Sequence, residues 1–351
     1  MRQHLWIKTL LMPLSWAYGW VTGVRNFLYD RLIFSSKKVP QFVISVGNLT
    51  VGGTGKTPVI EYLAKTLLPV TTLAILSRGY GRKTTGFLMA NESSSAENIG
   101  DEPLQFYTKF KHNLLVAVCE KRVTGALKLA KSQPQVKMLL LDDAYQHRAI
   151  QRDINLLLND YNRPFCTDTL LPAGRLRESR NGARRADAVI ITKCPIDLTG
   201  PEKQEIAAQV ATYTKPGTPV FFAFTDYALP LSYSGAPVEL KNVKMVAGIA
   251  DPSPFAAYLE ARFNVVDKVT FPDHHNYTVQ EVNELVRYLK SDTFVVTTEK
   301  DMVKLKPLAE KSGCAGRFAY IPVAVNFGAD SETFTQWLTR QITHHLNSAE
   351  R

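Results

Sequence analysis

A glycine-rich segment ending in Lys56-Thr57 constrains the fold of this chain more than any other feature. It follows a β-branched, largely apolar run at residues 43–46 and precedes an apolar-periodic stretch that reaches Leu68. That order predicts a strand, a phosphate-binding loop and a helix. Glycines allow several backbone N–H groups to converge on one anion, and the helix N-terminus adds its positive dipole end.

The predicted loop supplies candidates for nucleotide binding. Lys56 would contact the outer phosphates, and the Thr57 hydroxyl would hold Mg²⁺. The strict phosphate-loop pattern has glycine where this chain has Thr50, so an ordinary glycine-rich turn stays open as an alternative. The predicted ATP-binding residues are Gly52, Gly53, Thr54, Gly55, Lys56 and Thr57.

A second apolar run, at residues 136–141, reads as a buried strand and ends in Asp142-Asp143. In a phosphate-loop enzyme, a carboxylate at the end of such a strand lies beside the loop and holds the metal. The sequence therefore predicts a Mg²⁺ site formed by Thr57, Asp142 and Asp143. A helix-capping role for the two acids is the alternative.

The composition indicates a two-domain α/β protein. The chain has 351 residues, of which 45% are hydrophobic and 21% charged, as in ordinary globular proteins. Its four scattered cysteines show neither metal-ligand nor disulfide spacing, which fits a reducing cytosol. The predicted organisation is an interfacial helical segment 1–35, a phosphate-loop nucleotide-binding domain 36–225, a two-stranded hairpin hinge 226–243 and a smaller α/β domain 244–351.

The amino-terminal segment is apolar, aromatic and basic. Residues 1–40 hold six lysines and arginines, Arg2 among them, against the single acid Asp30, which is half of the formal net charge of +10. The longest uncharged run, residues 9–24, is shorter than the about 20 residues of a bilayer-spanning helix. Three tryptophans and the flanking cations fit a helix lying in the interface of an anionic membrane. A helix packed on the protein's own core is the alternative.

Other polar residues have two interpretations when considered alone. Asp101 stands at a predicted helix start, where acids commonly act as caps. His274 is more simply read as structural, as most lone histidines are. Arg78 follows a predicted strand and precedes a glycine, which favours a basic ligand-binding loop over a solvated turn.

Together, these motifs resemble those of the tetraacyldisaccharide 4′-kinases, the lipid A 4′-kinases of Gram-negative envelope synthesis. Two departures are small: Ala144-Tyr145 stands where the family usually has Gly-Phe, and His275 makes a double histidine. The segments that carry the resemblance are SVGNLTVGGTGKTP (45–58), SRGYGR (77–82), GDEP (100–103), DDAYQHR (142–148), LPAGRLRE (171–178), FPDH (271–274) and TEKD (298–301).

The resemblance implies a fold and a reaction. The fold would be a phosphate-loop kinase domain with a parallel sheet, joined by a two-stranded hinge to a smaller α/β domain. The reaction would move the γ-phosphate of ATP, with Mg²⁺, to the 4′-hydroxyl of tetraacyldisaccharide 1-phosphate, giving lipid IVA. The enzyme would act, peripheral or monotopic, at the cytoplasmic face of the bacterial inner membrane. Neither a nucleic acid nor an obligate protein partner is implied.

The resemblance also assigns residue roles by motif matching. Asp101 would be the general base, with His274 as its partner across an interdomain cleft, and Lys56 would act on the phosphates. The residues that would assist phosphate or acceptor binding are Arg78, Arg122, His147, Arg177 and Glu178.

A membrane-associated phosphate-loop switch or partitioning-type ATPase is the main alternative function, because its loop also reads Gly-Gly-x-Gly-Lys-Thr. That class carries a lysine where this chain has Val51. A GTPase is disfavoured, because residues 192–195 lack the aspartate that reads guanine. A binding module without chemistry would leave Lys56 and the acidic pair without a role.

Overall fold

The computed structural model describes the backbone of residues 2–349 and the side chains of residues 6–346. The outermost residues of the predicted segments 1–35 and 244–351, and the side chain of Arg2, lie outside that description. The helices are α1 (Arg2–Asp30), α2 (Lys56–Leu67), α3 (Ala96–Ile99), α4 (Asp101–Phe110), α5 (Arg122–Ser132), α6 (Gly200–Ala211), α7 (Ser253–Glu260), α8 (Val279–Val286), α9 (Glu299–Lys311) and α10 (Ser331–Ala349).

The strands are β1 (Phe42–Asn48), β2 (Leu73–Ser77), β3 (Leu88–Met89), β4 (Leu115–Val118), β5 (Met138–Asp142), β6 (Ile154–Asp160), β7 (Ala188–Cys194), β8 (Val220–Tyr227), β9 (Leu231–Ser232), β10 (Asn242–Ala247), β11 (Asn264–Thr270), β12 (Thr293–Thr298), β13 (Phe318–Ile321) and β14 (Val323–Asn326). The chain divides into two compact units. The first comprises residues up to 78, 121–225 and from 325 onward, and the second comprises 79–120 and 226–324.

The first unit contains a parallel sheet in the order β8-β7-β6-β1-β5-β2. Strands β1 and β5 are buried along nearly their whole length, as the apolar runs of a covered parallel sheet require. Helix α2 packs against β1 and β5, and α5 packs against β2. Parallel strands bring their carboxyl ends to one edge, so the loop after β1 and the acids that end and follow β5 share that edge.

The second unit contains a five-stranded sheet in the order β11-β10-β12-β13-β9, of which only β9 runs antiparallel. Strands β3 and β4 form an antiparallel pair in the same unit. Helix α4 packs against α9 and β4, and α8 packs against α9. A core that includes Ile99, Leu104, Val246 and Met302 joins these elements.

Two segments belong to a different unit from the one that their position along the chain predicts. Residues 79–120 belong to the second unit, because Leu104 and Val118 are buried in the same core as Val246. Helix α10 belongs to the first unit, because Phe334 stacks on Phe327 and packs edge-on against Phe221. The order of the segments along the chain predicted neither grouping, because both groupings are made by apolar contacts between segments that are distant in sequence.

The predicted hinge 226–243 contains a turn at residues 232–236, with Gly235 at φ 91°. An antiparallel bridge joins Leu231 to Pro237 across this turn, and β9 also pairs with β13. Helix α9 begins directly after Thr298, whose side chain caps the helix by accepting from the backbone N of Asp301 at 3.2 Å. Helix α9 carries the lysines described below.

Helix α1 is continuous through Pro13. Among the described residues, none of the helices is long and apolar enough to cross a membrane. The helix faces its own unit with polar groups: Ser15 donates to Leu170 O at 3.0 Å, and Tyr18 donates to Arg177 O at 2.8 Å. Its large apolar side chains point outward, with Trp16 67% and Trp20 73% exposed. This polarity is the reverse of a helix packed on an apolar core.

Candidate active site

The phosphate loop takes the backbone shape that its glycines permit. Gly52 has φ 107°, and Gly55, the N-cap of α2, has φ 74°. Both lie in the left-handed region that favours glycine. Thr50 does not have a positive φ, and its carbonyl accepts from the Asn48 side chain at 2.7 Å. Glycine is therefore not required at position 50, which explains why the strict pattern can be broken there.

The segment before Glu178 holds one side of the loop. Val51 N donates to Arg175 O at 2.8 Å, and Arg177 N donates to Leu49 O at 2.7 Å. A β-bridge joins Thr50 to Leu176. The motif at residues 171–178 therefore acts partly as a backbone support for the loop.

The carboxyl end of β7 holds the other side of the loop. Thr192 Oγ1 donates to Thr54 O at 2.9 Å, and Lys193 donates to Gly53 O. Lys193 also pairs with Asp160 at 2.7 Å. Sequence reasoning used Thr192-Lys193 only to disfavour a GTPase and missed this support, because nothing in the local pattern shows that the segment reaches back to the loop.

Asp143 lies beside the loop lysine. Its Oδ2 accepts from Arg177 Nη1 at 2.9 Å, and its Oδ1 lies 3.7 Å from Lys56 Nζ. Burial opposes ionisation of this carboxyl, but the charges of Lys56 and Arg177 outweigh it and hold the pKa of Asp143 below its ordinary value. Asp143 is therefore a carboxylate at neutral pH.

Asp142 is almost fully buried at the end of β5. Its Oδ2 accepts from Ser77 Oγ at 2.9 Å, and its backbone carbonyl accepts from Arg122 Nη2 at 2.9 Å. Arg122 is the first residue of α5, so the structure brings three strand or helix ends together around the acidic pair.

The donor set near the loop fits Mg²⁺. Within residues 6–346, no group of three His, Cys, Asp or Glu side chains could hold a metal by itself. Two carboxylates and the Thr57 hydroxyl are hard oxygen donors, and Mg²⁺ typically takes one or two carboxylates together with substrate phosphates and water. Cβ atoms built at Gly52 and Gly53 would meet no atom within 4 Å, so the loop leaves room for an anion.

The predicted assisting residues have different surroundings. Burial, together with the charges of Arg122 and Arg78, lowers the pKa of His147 to about 4, so His147 is a neutral imidazole among cations. Glu178 is fully buried, and its carboxylate is bound by Asn26 of α1, by Gln146 and by Arg185. The Glu178 carboxylate therefore connects α1 to Gln146 and Arg185.

The second unit holds the other predicted pair. Asp101 is the first residue of α4, in agreement with its predicted position at a helix start, and it is 5% exposed. His274 Nδ1 lies 2.8 Å from Asp101 Oδ2, although 173 residues separate them. Both residues belong to the second unit, so their contact does not cross a domain boundary as the resemblance implied. His275 instead contacts Glu281 at 3.0 Å and stacks on Phe271.

Two lysines of α9 complete this cluster. Lys300 Nζ and Lys304 Nζ each lie 3.7 Å from Asp101 Oδ2. Burial would raise the pKa of Asp101, but the His274 hydrogen bond and the Lys300 charge outweigh it and lower the pKa to about 2. The same hydrogen bond raises the pKa of His274 above its ordinary value. Lys300 lies in the TEKD motif at residues 298–301, but the sequence alone indicated no role for it.

Comparison with known proteins identifies relatives along nearly the whole chain. The family model described as Tetraacyldisaccharide-1-P 4′-kinase matches residues 7–343. The tetraacyldisaccharide 4′-kinase of Cytophaga hutchinsonii is 39% identical over 98% of both chains. That of Flavobacterium psychrophilum is 40% identical over 96% of this chain and 97% of its own. The crystal structure of LpxK from Aquifex aeolicus in complex with ATP superposes with a TM-score of 0.75 at 30% identity, over 95% of this chain and 99% of that one.

Proposed function

This chain belongs to the tetraacyldisaccharide-1-P 4′-kinase family, and we propose which of its residues perform the family's reaction. The enzyme is an ATP-dependent phosphotransferase of lipid A biosynthesis. It transfers the γ-phosphate of ATP to the 4′-hydroxyl of tetraacyldisaccharide 1-phosphate. Membership of this family disfavours the alternative function of a switch ATPase, because the chain shares the loop pattern of that class only in part.

The contact between Asp101 and His274 carries the assignment of the base. Asp101 accepts the proton of the attacking 4′-hydroxyl while the new O–P bond forms and the bond from the γ-phosphorus to the bridging oxygen breaks. His274 Nδ1 donates to Asp101 Oδ2 at 2.8 Å and orients the carboxylate. A pKa of about 2 keeps Asp101 in the carboxylate form at neutral pH.

The first unit supplies the groups that bind the donor. Lys56 and the backbone N–H groups from Gly52 to Thr57 bind the phosphates of ATP. Thr57, Asp142 and Asp143 hold Mg²⁺, which when bound neutralises phosphate charge. Arg177 fixes Asp143 through the bond at 2.9 Å, so we assign Arg177 to orientation of that acid.

We assign one part of the site to binding of an anionic group of a substrate. This part is formed by Arg78, Arg122 and His147. Burial, and after it the charges of Arg122 and Arg78, lower the pKa of His147 to about 4, so the imidazole lies close to both guanidinium groups. Arginine suits phosphate because its planar guanidinium can donate two hydrogen bonds at once. The 1-phosphate of the acceptor is an anion of this kind.

The reversed polarity of α1 supports a position at the membrane surface. Tryptophan and basic residues are typical of segments that lie at headgroup depth, and the outward-facing side chains of α1 include Trp6, Trp16 and Trp20. The acceptor carries four acyl chains, so an enzyme held at the cytoplasmic face of the inner membrane would meet it there. We therefore assign α1 to peripheral or monotopic binding of an anionic leaflet.

Vesicle flotation tests the membrane assignment. Replacing Trp16 and Trp20 by Ser should lower binding to phosphatidylglycerol-containing vesicles about tenfold or more, because burial of a large apolar side chain contributes about 1.5–3 kcal/mol. Ile196→Ser is the matched control, since Ile196 is 91% exposed and lies outside α1. Equal flotation of the double variant and the control would refute the assignment.

Transfer of labelled phosphate tests the activity. The enzyme should move label from γ-labelled ATP to lipid A disaccharide 1-phosphate in detergent micelles, and only with Mg²⁺. Lys56→Ala should abolish transfer, whereas Lys65→Ala, a change on the exposed side of the same helix, should not. Label released only as inorganic phosphate would favour the switch ATPase instead.

A further inference from the structure

Lys300 occupies the centre of the acidic and imidazole groups around Asp101. Its Nζ lies 3.4 Å from His274 Nε2 and 3.2 Å from Asp273 Oδ1. The same ammonium lies 3.7 Å from Asp101 Oδ2 and 3.9 Å from Glu102 Oε1. One cation therefore touches both the base and the far nitrogen of the base's partner.

The two nitrogens of His274 have different tasks. Asp101 is ionised, so the contact of 2.8 Å requires a proton on Nδ1. In the neutral ring Nε2 then carries a lone pair, and the Lys300 ammonium can donate to it. In the doubly protonated ring Nε2–H would instead face that ammonium, with Asp273 Oδ2 at 3.6 Å as an acceptor.

We infer that Lys300 is a positioning residue of the kinase, which acts by holding the pair as an Asp101 carboxylate and a neutral His274 imidazole. This inference rests on the proposed role of Asp101. A protonated imidazole would add a further positive charge beside a carboxylate whose pKa the Lys300 charge already lowers, and would weaken that carboxylate further as a base. The neutral ring is therefore the state in which Asp101 accepts the hydroxyl proton more readily.

The opposing charges around His274 agree with this role. The Asp101 hydrogen bond raises the pKa of His274, Lys300 lowers it, and Asp273 raises it. The same cluster includes Glu102 on α4, 3.9 Å from Lys300, and Lys304 on α9, 3.7 Å from Asp101. The ring centroid of Tyr80 lies 5.7 Å from that of His274. Among them, Lys300 is the cation within hydrogen-bonding reach of Nε2.

Lys304 differs from Lys300 in a way that separates their roles. Lys304 donates to the backbone carbonyl of His275 at 2.9 Å and lies 5.5 Å from the centre of the Tyr277 ring. Its side chain is 6% exposed, against 18% for Lys300. Lys304 is thus a fixed part of the fold, whereas Lys300 faces the accessible side of the pair.

Lys300→Met tests the inference, with Lys306→Met as the matched control at a partly exposed position of the same helix. Lys300→Met should lower kcat at least tenfold with unchanged KM for ATP, and should move the acid limb of the pH profile of kcat upward by about one pH unit. Lys300→Arg should restore most of kcat. Lys306→Met should match the unsubstituted enzyme in each measurement.

A titration of the His274 ring by ¹⁵N NMR gives a readout that does not depend on activity, with the signal assigned by its loss in His274→Gln. The pKa of His274 should be higher in Lys300→Met than in Lys306→Met. An unchanged pKa and an unchanged acid limb would overturn the inference, and so would failure of Lys300→Arg to restore kcat in a folded variant. Full activity of Asp101→Asn would instead refute the proposed base, whatever Lys300 does.

Discussion

The two units each hold one carboxylate between cations, but they do so with different chemistry. In the first unit, Asp143 is bound by the guanidinium of Arg177 and lies near the ammonium of Lys56. In the second unit, Asp101 is bound by the imidazole of His274, and this hydrogen bond raises the pKa of His274. The first carboxylate is thus held by a lysine and an arginine, whereas the second is held by a ring that can exchange a proton.

Removing the proton acceptor should have the largest effect. Asp101→Asn should lower kcat by about 10²–10⁴-fold, the usual contribution of a general base, and leave the affinity for ATP unchanged, because the ATP-binding residues lie in the first unit. Initial rates and calorimetric ATP binding would measure the two quantities. A parallel loss of ATP affinity would erase the distinction between the two carboxylates.

Breaking the ion pair between Arg177 and Asp143 should have a smaller effect, and the effect should be on the dependence of activity on Mg²⁺. Arg177→Met should raise the Mg²⁺ concentration for half-maximal activity by about 10- to 100-fold, because Arg177 orients Asp143. The shape of the pH profile should not change, since the contact between Asp101 and His274 is left in place. Magnesium titrations at several pH values would show whether that independence holds.

Protonation of the His274 imidazole predicts that kcat falls as the pH is lowered. Because the pKa of His274 is raised, the ring becomes protonated as pH falls through that value, and kcat should fall with it. His274→Gln keeps a donor toward Asp101 but cannot titrate, so its kcat should be about tenfold lower and flat between about pH 6 and pH 8. An acid limb that persists in His274→Gln would assign the titration to another group.

The smallest expected effect concerns the helix that carries the lysines. Thr298→Ala removes the N-cap of α9 and should lower the free energy of unfolding by about 0.5–2 kcal/mol. Urea denaturation would measure this loss. The pH profile should stay in place, because Lys300 and Asp101 are unchanged. A shifted profile would show that the helix start, as well as the charge, sets the state of the pair.

The sequence by itself determined the donor region. The phosphate loop is contiguous, so Gly52, Gly55 and Lys56 reveal it through local conformation and charge. Buried parallel strands read as apolar runs, which made β1, β5 and the acidic pair predictable. Family resemblance then led to the correct family and reaction, since its motifs retain their order along the chain.

The tertiary structure decided the rest. Asp101 and His274 meet across 173 residues, because the core that α4 shares with α9 places residues 79–120 in the second unit. Lys300 is an ordinary helical lysine in sequence, and only packing brings its ammonium to both members of the pair. The outward orientation of the apolar face of α1 likewise depends on the backbone carbonyls that accept hydrogen bonds from the opposite, polar face of the helix. Local pattern identifies a site made by one segment, whereas a site made by distant segments exists only through their packing.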